Sequence, residues 1–153
     1  MDYYQAISRG FQEAIELISV SVDTLAEPLY RAGNACSEAL VREQKILCCG
    51  NGAAAAIAEI FTSHLIHRFE HERPALPALC LSGDGVNLSA IAAATTANDL
   101  YSRQVRALGQ PGDVLLCVAG AEGNASIIQA IRAAHDRDIR VILLSGGSCA
   151  DVA

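Results

Sequence analysis

The sequence predicts a doubly wound α/β domain built on a parallel sheet, and three observations carry that prediction. Short apolar runs of strand length alternate with segments of helical period, the signature of repeated β–α units. Two of the runs end in glycine-bearing turns, Gly50-Asn51-Gly52 and Ala119-Gly120-Ala121-Glu122-Gly123-Asn124, and open α/β sheets bind ligands beyond the carboxyl ends of their strands. Hydrophobic residues make up 52% of the 153 residues but aromatics only 5%. The core is therefore built from Ala, Val, Ile and Leu, which suits helices covering both faces of a parallel sheet.

The elements follow in order. Ile7, Phe11, Ala14, Ile18, Val22 and Leu25 recur at spacings of three and four, one apolar stripe on a long N-terminal helix. Pro28 breaks the pattern, and a second helix is expected over 29–41 with Ala32, Cys36 and Leu40 facing inward. Residues 1–43 are thus read as N-terminal helices and 44–153 as the α/β core of one domain. The period then changes. Lys45-Ile46-Leu47-Cys48-Cys49 is a buried strand ended by Gly50-Asn51-Gly52, and 53–69 reads as a helix. Pro74 and Pro77 mark a loop before a second strand, Ala78-Leu79-Cys80-Leu81. Short helices are expected over 87–94 and 99–108. Gly109-Gln110-Pro111-Gly112-Asp113 launches a third strand, Val114-Leu115-Leu116-Cys117-Val118. A helix over 125–134 and a fourth strand over 140–144 complete the pattern. With right-handed crossovers, the strand order expected of this doubly wound sheet is 2-1-3-4, which brings the two glycine loops together at the switch between strands one and three.

Composition removes several function classes. The net charge is -6, and the local clusters are mixed, as in Arg68-Phe69-Glu70-His71-Glu72-Arg73. A direct nucleic-acid contact, which needs a basic patch or stripe, is not expected. No apolar run approaches the length of a membrane helix, and the N-terminal segment is amphipathic and acidic where a signal peptide would be basic and then apolar. The six cysteines, Cys36, Cys48, Cys49, Cys80, Cys117 and Cys149, form no CxxC pair. Reduced, buried thiols in a cytoplasmic protein are expected.

Three site chemistries can be weighed on the residues. Gly50-Asn51-Gly52-Ala53-Ala54-Ala55 satisfies a loose dinucleotide fingerprint, but no acid falls at the end of the second strand at the required spacing, so no cofactor is expected. His64, His67 and His71 share a face if their helix persists, yet a zinc site needs further ligands, and no metal is expected. The two glycine loops each open a helix whose free N–H groups favour an anion.

At these residues the chain resembles a known family. Lys45-Ile46-Leu47-Cys48-Cys49-Gly50-Asn51-Gly52, Arg68-Phe69-Glu70-His71-Glu72-Arg73-Pro74, Gln104-Val105-Arg106-Ala107-Leu108-Gly109 and Pro111-Gly112-Asp113-Val114-Leu115-Leu116 are similar to segments of the sugar isomerase (SIS) family, both the phosphoheptose isomerases and their relatives, the DnaA initiator-associating proteins. The resemblance implies a flavodoxin-like SIS fold assembled as a homotetramer, with a fifth strand and a last helix that this sequence does not reach. It also implies a phosphosugar pocket at Gly50, Asn51, Gly52, Ala53, Ala54, Ala119, Gly120, Ala121, Glu122, Gly123 and Asn124.

The departures from the family pattern are specific. Ala54 stands where the family's first loop has a phosphate-binding serine, and the second loop holds no hydroxyl between Ala119 and Asn124 while Glu122 adds a negative charge. The histidine and glutamate that the isomerases carry on the helix after the first loop become Ile60 and His64, and their Asn-Asp pair becomes Ala93-Ala94. His64 is left as the weak candidate for a base. The expectation is therefore a non-catalytic, homo-oligomeric SIS protein that presents a surface to the replication initiator DnaA, with a degenerate pocket. A phosphoheptose (sedoheptulose 7-phosphate) isomerase and a sugar-derivative sensor are the alternatives.

Overall fold

The computed structural model describes residues 2–120 and 124–147. The chain divides into two compact units, one up to Asn34 and one from Ala35 onward. Helix α1 (Tyr3–Val41) is one continuous helix of 39 residues. This corrects the expected break at Pro28. A proline removes one rung of the hydrogen-bond ladder and crowds the preceding turn, but many other rungs carry a helix of this length through it. Its apolar stripe is exposed, with Phe11 and Ile18 each 68% accessible.

The second unit holds the sheet. Strands β1 (Ile46–Gly50), β2 (Ala78–Cys80), β3 (Val114–Ala119) and β4 (Arg140–Ser145) pair in parallel in the order β2-β1-β3-β4. Helix α2 (Ala53–Ile66) follows β1, α3 (Gly85–Ala94) and α4 (Ser102–Leu108) lie between β2 and β3, and α5 (Ala125–His135) precedes β4. The expected order and the meeting of the two loops are both observed.

Strand side chains alternate between two cores, as the period of two requires. Leu47, Cys49, Leu115 and Cys117 face one side, where they pack with Tyr101, Val105, Ile127 and Ile131 of the α4–α5 layer. Ile46, Cys48, Val114, Leu116 and Val118 face the other, against Ala39 of α1 and Ala58 of α2. Both faces are covered, so β1 and β3 read as unbroken apolar runs. Cys36, Cys48, Cys49, Cys80 and Cys117 are free thiols; Cys149 lies outside the described residues. Burial pushes the Cys48 thiol up to about 12, and the Cys117 thiol, 3.6 Å from that of Cys49, together with burial raises Cys49 as well. Both are neutral thiols at physiological pH and behave as small core hydrophobes.

Two local differences from expectation have clear causes. Helix α2 stops at Ile66 rather than continuing to Phe69, because Arg73 caps it. Its guanidinium donates to the carbonyls of His64 (2.5 Å) and Leu65 (2.9 Å), and Glu70 turns the chain with a φ of 56°. The expected helix over 99–108 is split into a short 3-10 turn, Ala97–Asp99, and α4. No helix among the described residues is long and apolar enough to cross a membrane.

Candidate functional site

The site is built where β1 and β3 end side by side. Gly50 pairs with Val118 across the sheet, so the residues that follow each strand emerge together. After β1 the chain must turn at once into α2. Gly50 permits this because a Cβ there would sit 2.6 Å from the carbonyl carbon and oxygen of Ala54. Gly52, the residue before α2, has a φ of 56°, a left-handed conformation that glycine adopts without a steric penalty. After β3, Asn124 caps α5, its side-chain oxygen accepting from the Ser126 N–H at 3.1 Å.

Between the two loops lies an open cleft of about 410 Å³, lined by Asn51, Ala54, Val118, Ala119, Gly120, Asn124 and Ile127. That volume lies in the range of small-molecule sites. Both α2 and α5 begin at this end of the sheet, so the positive ends of two helix dipoles face the same side. Asn51 joins the two loops: its amide nitrogen donates to Ser126 Oγ at 3.0 Å, and Ser126 Oγ donates to Asn124 Oδ1 at 2.8 Å. From below, Ser82 at the end of β2 pins Gly50 twice, accepting from its N–H at 3.0 Å and donating to its carbonyl at 2.8 Å.

Of the pocket residues that the resemblance implies, Asn51, Ala54, Ala119, Gly120 and Asn124 line this cleft. Gly50 lies buried beneath it, Gly52 and Ala53 form the entry to α2, and Ala121, Glu122 and Gly123 lie outside the described residues. His64 is not brought to the cleft. It is exposed at the far end of α2, its ring edge-on to Phe69 at 4.9 Å. Ile60 is 59% exposed, and Ala93 and Ala94 sit exposed at the end of α3. His67 and His71 fall beyond the end of α2, so the shared histidine face that a metal site needs does not form. Among the described residues no group of three or more metal-ligating side chains is assembled.

Sequence reasoning missed Ser82, Tyr101, Ser126, Val118 and Ile127 at this site. Val118 and Ile127 follow from the strand and helix registers once the loops are placed. The three hydroxyls come from segments read as scaffold, and only their convergence in space identifies them.

This geometry can be set against known proteins. The model of the SIS domain family matches residues 11–146. The phosphoheptose isomerase of Chromohalobacter salexigens is 41% identical over 153 residues, all of this chain and 78% of that protein. The phosphoheptose isomerase of Coxiella burnetii (strain RSA 331) is 39% identical over 146 residues, 95% of this chain and 73% of that protein. A solved phosphoheptose isomerase structure from Francisella tularensis superposes with a TM-score of 0.93 at 32% identity, covering 99% of this chain and 81% of the other. These findings overturn the expectation of a non-catalytic assembly protein acting on the replication initiator. The loops lack the family's hydroxyls, yet relatives that match nearly the whole chain are named as isomerases. In sequence over most of its length and in the architecture that carries its cleft, the chain belongs to the SIS domain family.

Proposed function

We propose that the chain acts as an isomerase of the phosphoheptose type, taking a sugar phosphate such as sedoheptulose 7-phosphate into the cleft between the ends of β1 and β3. The observation that carries this reading is the match along the whole chain, at 41% identity, to a protein named as that isomerase. The cleft supports it physically, with two helix N-termini and the amides of Asn51 and Asn124 set around a space of suitable size. Anionic groups are stabilised at such ends. Aldose–ketose interconversion moves a proton between adjacent carbons and needs a positioned base and acid. The described lining carries no titratable side chain, so in this reading the proton-moving group reaches the sugar from outside that lining. His64, at the far end of α2 from the cleft, is not placed to be that group.

The test is a steady-state assay of sedoheptulose 7-phosphate interconversion with the purified chain, alongside calorimetric titration of the same ligand. Saturable turnover is expected. Absence of both turnover and binding overturns the reading. Binding without turnover favours the second reading, a sugar-derivative sensor, for which the lack of titratable groups in the described lining is the specific support.

Assembly as a homo-oligomer, a tetramer by family resemblance, is part of the same proposal. The α1 face of Ile7, Phe11, Ile18, Val22 and Leu25 is exposed, and it carries a hollow of about 450 Å³ lined by Leu17, Ile18, Ser21, Val22, Leu25, Ala26 and Leu29. Apolar surface of this kind marks an interaction site, and a second copy of the chain is the occupant proposed. Light scattering at micromolar concentration should show an oligomer for the wild-type chain and a smaller species for the double variant Phe11→Asp, Ile18→Asp. A wild-type monomer would sink this part of the proposal.

A further inference from the structure

Tyr101 is almost fully buried, 3% exposed, at the start of α4, yet its hydroxyl reaches the cleft's floor. The phenolic oxygen lies 2.5 Å from the Gly50 carbonyl and 2.9 Å from Asn51 Oδ1. The Gly50 carbonyl also accepts from Ser82 Oγ at 2.8 Å, and the same Ser82 Oγ lies 3.3 Å from the tyrosine oxygen. Asn51 Oδ1 can only accept, and the tyrosine O–H, whose one hydrogen is shared between this oxygen and the Gly50 carbonyl, is the donor facing it. With its oxygen so held, the Asn51 amide must turn its NH2 end the other way, toward Ser126 at 3.0 Å. Ser126 Oγ, accepting from Asn51, spends its own hydrogen on Asn124 Oδ1 at 2.8 Å. Asn124 Oδ1 is then engaged by both the hydroxyl and the N–H of Ser126, so the NH2 end of this cleft-lining residue is the one turned away from Ser126.

We propose that Tyr101 is a positioning residue for the cleft. Its hydroxyl sets the direction of a hydrogen-bond relay through Asn51, Ser126 and Asn124, so that the two asparagines present amide N–H donors, rather than carbonyl acceptors, to the ligand. The relay compensates in part for the absent loop hydroxyls and fits a ligand rich in acceptor oxygens, a phosphate group above all. Burial raises the Tyr101 hydroxyl above its ordinary range, so it stays a neutral donor throughout the physiological range. The choice of ligand rests on the function proposed above; the relay itself does not.

The test separates the two. Uniformly 15N-labelled wild type and Tyr101→Phe are compared first without ligand, then during titration with sedoheptulose 7-phosphate. Tyr101→Phe keeps the ring in the core, so the thermal midpoint should stay within about 5 °C of wild type. The side-chain amide cross-peaks of Asn51 and Asn124 should shift or broaden, and the dissociation constant should rise about tenfold, as expected for losing an oriented hydrogen bond in a buried network. Unchanged asparagine cross-peaks overturn the relay whatever the ligand does. Shifted cross-peaks with unchanged affinity overturn the role in binding. If the wild type binds no sugar phosphate, the proposed function falls, and the ligand-free spectra still decide the relay. Should Tyr101→Phe fail to fold, Ser126→Ala cuts the relay at its next link and is read in the same way.

Discussion

Gly50→Ala is expected to lower stability by about 3 kcal/mol, the upper part of the usual range for forcing extra atoms into a packed interior. For a chain of this size that is a fall in thermal midpoint of roughly 6–12 °C. The reason is that the added Cβ meets backbone. It would lie 2.6 Å from Ala54 C and O and 2.9 Å from Ala55 N, atoms that cannot rotate away as a side chain can. The first turn of α2 would have to lift from the end of β1, carrying Asn51 and Ala54 out of the cleft, so ligand binding should be lost with the stability. Gly52→Ala is the control. At Gly52 an added Cβ would meet nothing within 4 Å, and the cost is that of holding alanine at φ 56° and ψ -124°, a region kept for glycine, about 1–3 kcal/mol. Differential scanning calorimetry of the two variants distinguishes steric contact from backbone preference. A Gly50→Ala midpoint within about 2 °C of wild type would show that α2 is not seated on β1 as described.

Asp113→Ala should be larger still, about 3–5 kcal/mol, the range for breaking a buried ion pair from one side. The carboxylate is fully buried and holds three donors. Oδ1 accepts from the Lys45 N–H at 3.0 Å, while Oδ2 accepts from Lys45 Nζ at 2.6 Å and from the Gln110 N–H at 2.8 Å. Asp113 thereby ties the entry of β1 to the entry of β3, the central pair of the sheet. Alanine would leave two backbone N–H groups and an ammonium only 26% exposed without that partner. Asp113→Asn should recover little, because its NH2 end would face two further donors. Urea unfolding, compared at equal m-value, gives the number. A loss below about 1 kcal/mol, the worth of a surface pair, would mean that water replaces the carboxylate and that the sheet does not depend on it.

Which parts of this protein were legible in the sequence depends on the range of the interactions that fix them. The strands were readable because β1 and β3 are buried on both faces, which forces unbroken runs such as Ile46-Leu47-Cys48-Cys49 and Val114-Leu115-Leu116-Cys117. The strand order is the one common to doubly wound sheets of this kind, and the place of the cleft followed from the glycines that strand-to-helix turns require. These are local or nearly universal constraints. What failed was also physical. A proline is a strong local signal, but in a helix as long as α1 the surrounding ladder outweighs it. The end of α2 could not be read from 53–69 alone, since Arg73 caps it from beyond the helix. Counting missing hydroxyls along two loops gave too much weight to what the loops lacked, because the sequence does not show which hydroxyls fold toward them. Ser82, Tyr101 and Ser126 come from the end of β2, the start of α4 and the first turn of α5, separated from Asn51 by 31, 50 and 75 positions. By itself the sequence determined the layers, the strand order and the location of the cleft. Only the tertiary structure decided which polar groups meet beneath it, because a hydrogen bond between distant segments depends on angles and distances that local pattern does not encode.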